Sequence, residues 1–287
     1  MSIGKRVRLE PGSSSVLVTG AAGFIGMNLA HKLGKMGVHV VGLDNFNSYY
    51  SVELKRARAA HLKTAVAIDV VDGDVCDGAL LRQLMSKHKF THVVHLAAQP
   101  GVRYSLKHPL EYVERNGKCF VELLEALAAQ EASGRPYLVY ASSSSVYGLN
   151  EKIPFAESDS TDRPSNLYGS TKKFNELTAL AYYNIYKLQS SGCRFFTVYE
   201  YGSPQLKLHQ TQVHKCVRAL ITDLIPPTVY SSAPFSPLGC TCTCASRYGP
   251  WGRPDMAAYM FADKIEEGKP ITVYNHGNMN VSSACFV

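Results

Sequence analysis

The chain has 287 residues, 46% hydrophobic and 18% charged, long enough for one large domain or two modest ones with a real core. Its net charge of +7 suits an anionic substrate, but the basic residues are scattered, without a long basic run or interleaved aromatics, which argues against a nucleic-acid surface. No apolar run approaches the roughly 18 residues needed to span a bilayer, and MSIGKRVRLEPGSSS has no apolar segment behind its positive charges, so no membrane segment and a cytoplasmic location are expected.

From residue 14 onward, strand and helix patterns alternate. Val16–Thr19 is a β-branched run, followed by glycines and a helical stretch to Met36. Val38–Leu43 reads as the second strand and Glu53–His61 as the next helix. Val66–Val71 is a third strand ahead of DGDVCD, and a helix near Gly78–His88 leads to the strand Thr91–Leu96. The pattern then predicts a helix over Tyr112–Gln130, a strand over Tyr137–Ala141, a long helix over Ser165–Lys187 and a strand over Arg194–Tyr199. Strands separated by helices of this length predict an α/β, doubly wound parallel sheet covered on both faces.

The eight cysteines do not form a metal-binding set. Cys76, Cys119 and Cys193 sit singly within regular elements and read as buried thiols. Cys216, Cys240, Cys242 and Cys244 fall in an irregular stretch, and Cys285 lies near the end. Cys-x-Cys-x-Cys without a His at ligand spacing is a poor metal signature, so no metal is expected.

The first strand runs into VLVTGAAGFIGMNL, with glycines at Gly20, Gly23 and Gly26. This spacing permits a tight strand-to-helix turn and close approach of a pyrophosphate to the backbone, while the helix N-terminus offers N–H donors and its positive dipole end. Asp44, at the end of the second strand, can accept both hydroxyls of an adenine ribose and would repel a 2′-phosphate, which favours NAD over NADP. Asp74, after the third strand, fits either an adenine-side contact or a loop-capping role.

A second signal lies in YASSSSVYG and NLYGSTKK. Tyr168 and Lys172 stand at i and i+4, on one helical face. A nearby ammonium favours the phenolate, so the tyrosine could exchange a proton with a substrate hydroxyl. A serine at the strand end could bond the same oxygen. Tyr-x-x-x-Lys alone is common on helices. Its force comes from the glycine turn and the serine cluster, both at strand C-termini, where ligands bind in such sheets.

Taken together, TGAAGFIG, Asp44-Asn45, HLAAQ, SSSSVYG and YGSTK resemble an extended short-chain dehydrogenase/reductase of the NAD-dependent epimerase/dehydratase family, with a Rossmann sheet. DNFNSYYSVELKRAR, GVRYS, RFFTVY and YGPWGRPDMA resemble, more narrowly, UDP-glucuronate 4-epimerases. The resemblance implies NAD as cofactor and a UDP-sugar, UDP-glucuronate, as substrate. It assigns Tyr168 as catalytic base, Lys172 as its electrostatic partner and Ser143 as the third member. It also implies that Phe24, Ile25, Asn45, Val75, Leu96, Ala97 and Ala98 complete the cofactor site begun by Gly20, Gly23, Gly26, Asp44, Asp74 and Lys172. Ser144 and Ser145 would face the sugar, and Thr197 and Arg253 would surround the uronate carboxylate, with Arg103 and Asn116 as further pocket candidates. Family members often pair through helix bundles, which allows a homodimer. A UDP-glucose epimerase and a non-catalytic NAD-binding module remain open alternatives. Pro100 and Gly117 depart from the family pattern.

The pattern also breaks. RFFTVY would run directly into GPWGRPDM, but positions 200–248 intervene, rich in proline and cysteine. After ITVYNHGNMN the family pattern gives way to VSSACFV. The expected organisation is a cofactor domain over 14–199, an atypical insertion over 200–248 and the start of a truncated C-terminal substrate lobe over 249–287. Translated introns would account for both breaks: every Val codon begins with GT, the usual donor, and Val281 is the first departing residue at the second break. The rival reading is a genuine regulatory or partner-binding insertion. A long structureless loop inside a compact domain is otherwise unusual.

Overall fold

In a computed structural model, residues 9–196, 251, 254 and 264–270 are described here. Thr197, Arg253, the interposed positions 200–248 and the cysteines beyond Cys193 lie outside the described residues. The described strands are β1 (Ser15–Thr19), β2 (His39–Asp44), β3 (Val70–Asp72), β4 (His92–His95), β5 (Tyr137–Ser143) and β6 (Ser190–Phe195). They form one all-parallel sheet in the order β3-β2-β1-β4-β5-β6. The order reverses at β1, so the crevice beside the carboxyl ends of β1 and β4 is the topological switch point, where ligands bind in open α/β sheets.

Helices α1 (Phe24–Lys35), α2 (Val52–Val66), α3 (Gly78–His88), α4 (Tyr104–Lys107), α5 (Pro109–Tyr112), α6 (Cys119–Ala128) and α7 (Leu167–Tyr186) connect and cover the strands. Alternate strand residues feed two cores. Val16, Val18, Val40, Val94 and Val139 pack with Leu29, Leu33 and Leu62 of α1 and α2. Leu17, Val41, Val93 and Leu138 pack with Leu81, Leu84, Phe120, Leu124 and Leu127 of α3 and α6. Burying a Leu or Val side chain of this kind stabilises the fold by about 1.5–3 kcal/mol.

Three of the described α-helices start on side-chain caps. Ser51 accepts from the Leu54 N–H, Asp77 from Ala79 and Leu80, and Asn166 from Gly169. Gly23, at the start of α1, provides no such cap.

Several element boundaries differ from the sequence expectation, for local reasons. Helix α2 continues to Val66 and ends on Ala67 in the left-handed region, so β3 begins only at Val70. The helix expected over Tyr112–Gln130 is divided into α5, a π-helical turn at Val113–Lys118 and α6. β6 begins at Ser190 rather than Arg194. Its polar start is tolerated because Tyr137 and Ser191 share a hydrogen bond of 2.5 Å and Gly192 gives way to the Tyr140 ring. Cys76 and Cys119, expected as thiols, are joined in a disulfide; β3's following loop and the start of α6 bring their Cα atoms to 4.3 Å.

Candidate active site at the carboxyl ends of the strands

The glycine turn forms one wall. The Gly23 N–H donates to the Gly20 carbonyl at 2.9 Å, closing the turn that launches α1. A Cβ on Gly26 would stand 2.1 Å from that same carbonyl, so only glycine lets the helix start so close to the strand. With no side-chain cap, the first turn of α1 leaves its donors and positive dipole end to whatever enters the cavity.

Asp44 closes β2 with one carboxylate oxygen on the Ala22 N–H and the other on the Phe46 N–H, each 3.0 Å. Burial raises its pKa, and the two backbone donors act in the opposite direction. Asp74 takes the loop-capping role and lines the cavity as well. Oδ1 caps its own loop by accepting the Cys76 N–H at 2.9 Å, while Oδ2 accepts Asn45 Nδ2 at 2.9 Å and Arg115 Nη1 at 2.6 Å. Burial alone would raise this carboxyl, but those donors and the Arg115 charge hold it below the usual carboxylate range.

Across the switch point lies the candidate chemical centre. Asn166 caps α7 so that Tyr168 and Lys172 project from its first turns toward the end of β5. Lys172 is nearly fully buried and donates to the Ala141 carbonyl at 2.8 Å; burial lowers its pKa to about 8. His95, behind it on β4, shares a hydrogen bond of 2.8 Å with Thr19 Oγ1, and burial and the Lys172 charge take its pKa down to about 3. A neutral imidazole therefore adds no second cation beside Lys172. The Ser143 hydroxyl oxygen accepts the Ser145 N–H at 3.1 Å, which leaves its hydrogen to be donated elsewhere. Tyr168 meets the edge of Tyr112 with ring centroids 6.1 Å apart.

One cavity joins these walls. Gly20, Gly23, Phe24, Ile25, Gly26, Asp44, Asn45, Asp74, Val75, Leu96, Ala97, Ala98, Ser143, Tyr168 and Lys172 all line it. Ser144 and Ser145 occupy the single 3₁₀ turn after β5 and do not line it. Arg103 is exposed at the start of α4, away from the lining. Asn116 is buried behind the wall, with its amide spent on the Gln99 backbone at both ends and on Thr171 Oγ1. It positions the 96–100 segment against α7 rather than facing the cavity.

Other lining residues were not singled out from sequence. Tyr49, Tyr50 and Lys55 come from the DNFNSYYSVELK run, and Arg115 from the π-helical turn. Gln99, inside the HLAAQ run, lines the cavity with a buried Oε1 that has no hydrogen-bond partner among the described residues. That atom is an acceptor waiting for a donor. The Asp74, Cys76 and Cys119 donor atoms cluster closely, but sulfurs bonded to each other are not thiolate ligands.

A family model described as GDP-mannose 4,6 dehydratase matches residues 17–225. The chain is 45% identical over 267 residues to UDP-glucuronate 4-epimerase 1 of Arabidopsis thaliana, covering 93% of this chain and 50% of that protein. It is 37% identical to a probable UDP-glucuronate 4-epimerase of Rhizobium meliloti (strain 1021), covering 92% of this chain and 62% of the relative. Among solved structures it is similar to a UDP-glucuronic acid 4-epimerase from Bacillus cereus in complex with UDP-glucuronic acid and NAD. That match has a TM-score of 0.68 and 28% identity, covering 92% of this chain and 66% of the other. The chain thus spans about half the length of the plant relative.

Proposed function

The chain belongs to the family described as GDP-mannose 4,6 dehydratase, and from that premise we propose that its site interconverts UDP-glucuronate and UDP-galacturonate with bound NAD. The supporting observation is that Tyr168, Lys172 and Ser143 share one cavity with an uncapped glycine turn and Asp44. The turn suits a pyrophosphate because Gly26, where a Cβ would meet the Gly20 carbonyl, keeps the uncapped N-terminus of α1 close to the end of β1. Asp44 would hold the adenine ribose, and the Asp74–Val75 loop the adenine side. The plant and bacterial relatives' names and the sugar nucleotide in the Bacillus structure support the choice of UDP-glucuronate.

NAD, held by the glycine turn and Asp44, would supply reversible hydride transfer at C4 of the sugar. Tyr168 would take and return the proton at O4. Ser143 would donate its hydroxyl hydrogen to the same oxygen, and Lys172 would hold positive charge behind the phenol. Ser144 and Ser145 stand where a dehydratase would need an acidic pair, so loss of water from the sugar is disfavoured. Thr197 and Arg253 would bind the uronate carboxylate, an arginine fork being suited to that group.

We assign 14–199 to the cofactor domain and 249–287 to the start of the substrate lobe, with 200–248 interposed. Trp251, beyond the interposed stretch, meets the cofactor domain: its carbonyl accepts from Arg58, which also donates to the Ala22 carbonyl of the glycine turn at 3.0 Å, and its ring meets His61 with centroids 5.8 Å apart. A spliced transcript that still encodes Glu200–Arg247 would remove the intron reading. Among the described residues no helix is long and apolar enough to cross a membrane. Homodimerisation would use α7 and the α4–α5 segment, where Leu106, Leu110, Phe174 and Leu177 are exposed.

The test is conversion of UDP-glucuronate to UDP-galacturonate by the full chain, followed chromatographically beside NAD titration. Conversion supports the proposal. NAD binding without conversion leaves a cofactor-binding module.

A further inference from the structure

The chemistry proposed above makes no use of the disulfide between Cys76 and Cys119, which links positions 43 residues apart in the chain. We propose that this pair is a reversible thiol–disulfide site, opened by dithiol reductants, that fixes the adenine-side wall of the pocket. The inference rests on the dinucleotide reading of that pocket.

Cys76 is two residues past Asp74, and its N–H holds Asp74 Oδ1 at 2.9 Å. Cys119 follows the π-helical turn that carries Arg115 and Asn116. Arg115 Nη1 reaches back to Asp74 Oδ2 at 2.6 Å and to Cys76 Sγ at 3.5 Å. The wall is therefore a closed ring: the Asp74 loop, the disulfide, the start of α6, and the Arg115–Asp74 ion pair. With the disulfide opened, the polar side-chain tie that the described residues retain between loop and helix start is that ion pair, whose side chains are 38% and 30% exposed, beside the packing of Val75 in the α6 core. Partly solvated pairs of this kind hold geometry weakly. Val75 lies between Asp74 and Cys76 and lines the cavity, so loosening the loop acts directly on the pocket.

The two sulfurs differ in access. Cys119 is fully buried, whereas Cys76 is partly exposed. A reductant thiolate would attack Cys76 Sγ, forming a mixed disulfide and releasing Cys119 as a thiolate that takes up a proton. The reductant's second thiol then attacks the mixed disulfide, closes its own disulfide and releases Cys76. Two electrons and two protons pass from dithiol to protein. Arg115 beside Cys76 favours its thiolate as leaving group.

The experiment uses the full chain, with dithiothreitol and its oxidised form as probes. Non-reducing peptide mapping of the oxidised protein should recover a Cys76–Cys119 crosslink that dithiothreitol removes. Amide hydrogen exchange over 73–77 and 113–119 should be faster in the reduced protein. The NAD dissociation constant should rise about fivefold or more on reduction. A Cys76→Ser/Cys119→Ala variant should keep the weaker value with or without reductant, which separates this pair from the other cysteines. Failure to recover the crosslink, or equal exchange in the two thiol states, overturns the proposal. So does equal NAD affinity in the two states. If NAD binds in neither state, the dinucleotide reading falls, and the exchange comparison still decides whether the disulfide holds the wall.

Discussion

Lys172 illustrates how much a single residue's surroundings decide. Its ammonium is buried against the Ala141 carbonyl, and burial lowers its pKa from 10.5 to about 8. Between those values the unfolded chain holds a proton that the native chain has lost, so stability rises with pH through that window. Urea unfolding of wild type and Lys172→Met should therefore diverge. The wild type should gain about 2–3 kcal/mol on the variant between pH 7 and pH 10, and a constant difference would contradict the burial argument. Tyr168 is tested by turnover. Tyr168→Phe should lower epimerisation by roughly 10²–10⁴-fold while NAD affinity stays within about twofold; unchanged turnover would remove it as the base.

At the scale of elements, α7 is placed against β5 and β6 by a glycine and a buried ion pair. A Cβ on Gly169 would lie 2.5 Å from the Ser145 carbonyl oxygen, so Gly169→Ala should push α7 off the 3₁₀ turn and cost about 1–3 kcal/mol. Gly117 makes the opposite case: the nearest atom to an added Cβ is 3.8 Å away, on Phe174. Gly117→Ala should be neutral or stabilising by about 0.4–1 kcal/mol, and thermal unfolding of the pair of variants checks both. Arg194 donates twice to Glu176, at 2.9 Å each, and Ser142 donates to the same carboxylate at 2.6 Å. Removing one side of such a buried pair is strongly destabilising, so Glu176→Ala should cost about 3–5 kcal/mol in chemical denaturation. The loss should reach the site, since Ser142 adjoins Ser143. Helix α3 was legible in the sequence near Gly78–His88, and the structure adds that the Asp77 side chain caps its start. The π-helical turn was not, since VERNGK lies between helical stretches and the wider turn leaves no compositional mark.

At the scale of the whole molecule, the homodimer proposal turns on the exposed apolar residues of α4, α5 and α7. Leu110 is 81% exposed and Phe174 44%. Sedimentation of the wild type should give a dimer, and Leu110→Asp with Phe174→Asp a monomer that still binds NAD. A monomeric wild type would end the homodimer proposal. Arg58 and Trp251 act at the same scale, joining the glycine turn to chain beyond position 248. Their contact connects regions 193 residues apart.

The sequence by itself determined the parallel sheet, the glycine turn, Asp44 and the Tyr168–Lys172 pair. Each depends on local chemistry: strand and helix periods, a turn that only glycine permits, and side chains one helical turn apart. The tertiary structure decided what depends on neighbours distant in the chain. It turned Asn116 away from the cavity because Gln99 and Thr171 satisfy its amide. It made the polar start of β6 a buried strand because Tyr137 and Tyr140 complete it. It joined Cys76 to Cys119 because the β3 loop and α6 meet only once the sheet has formed, and no residue spacing records that encounter.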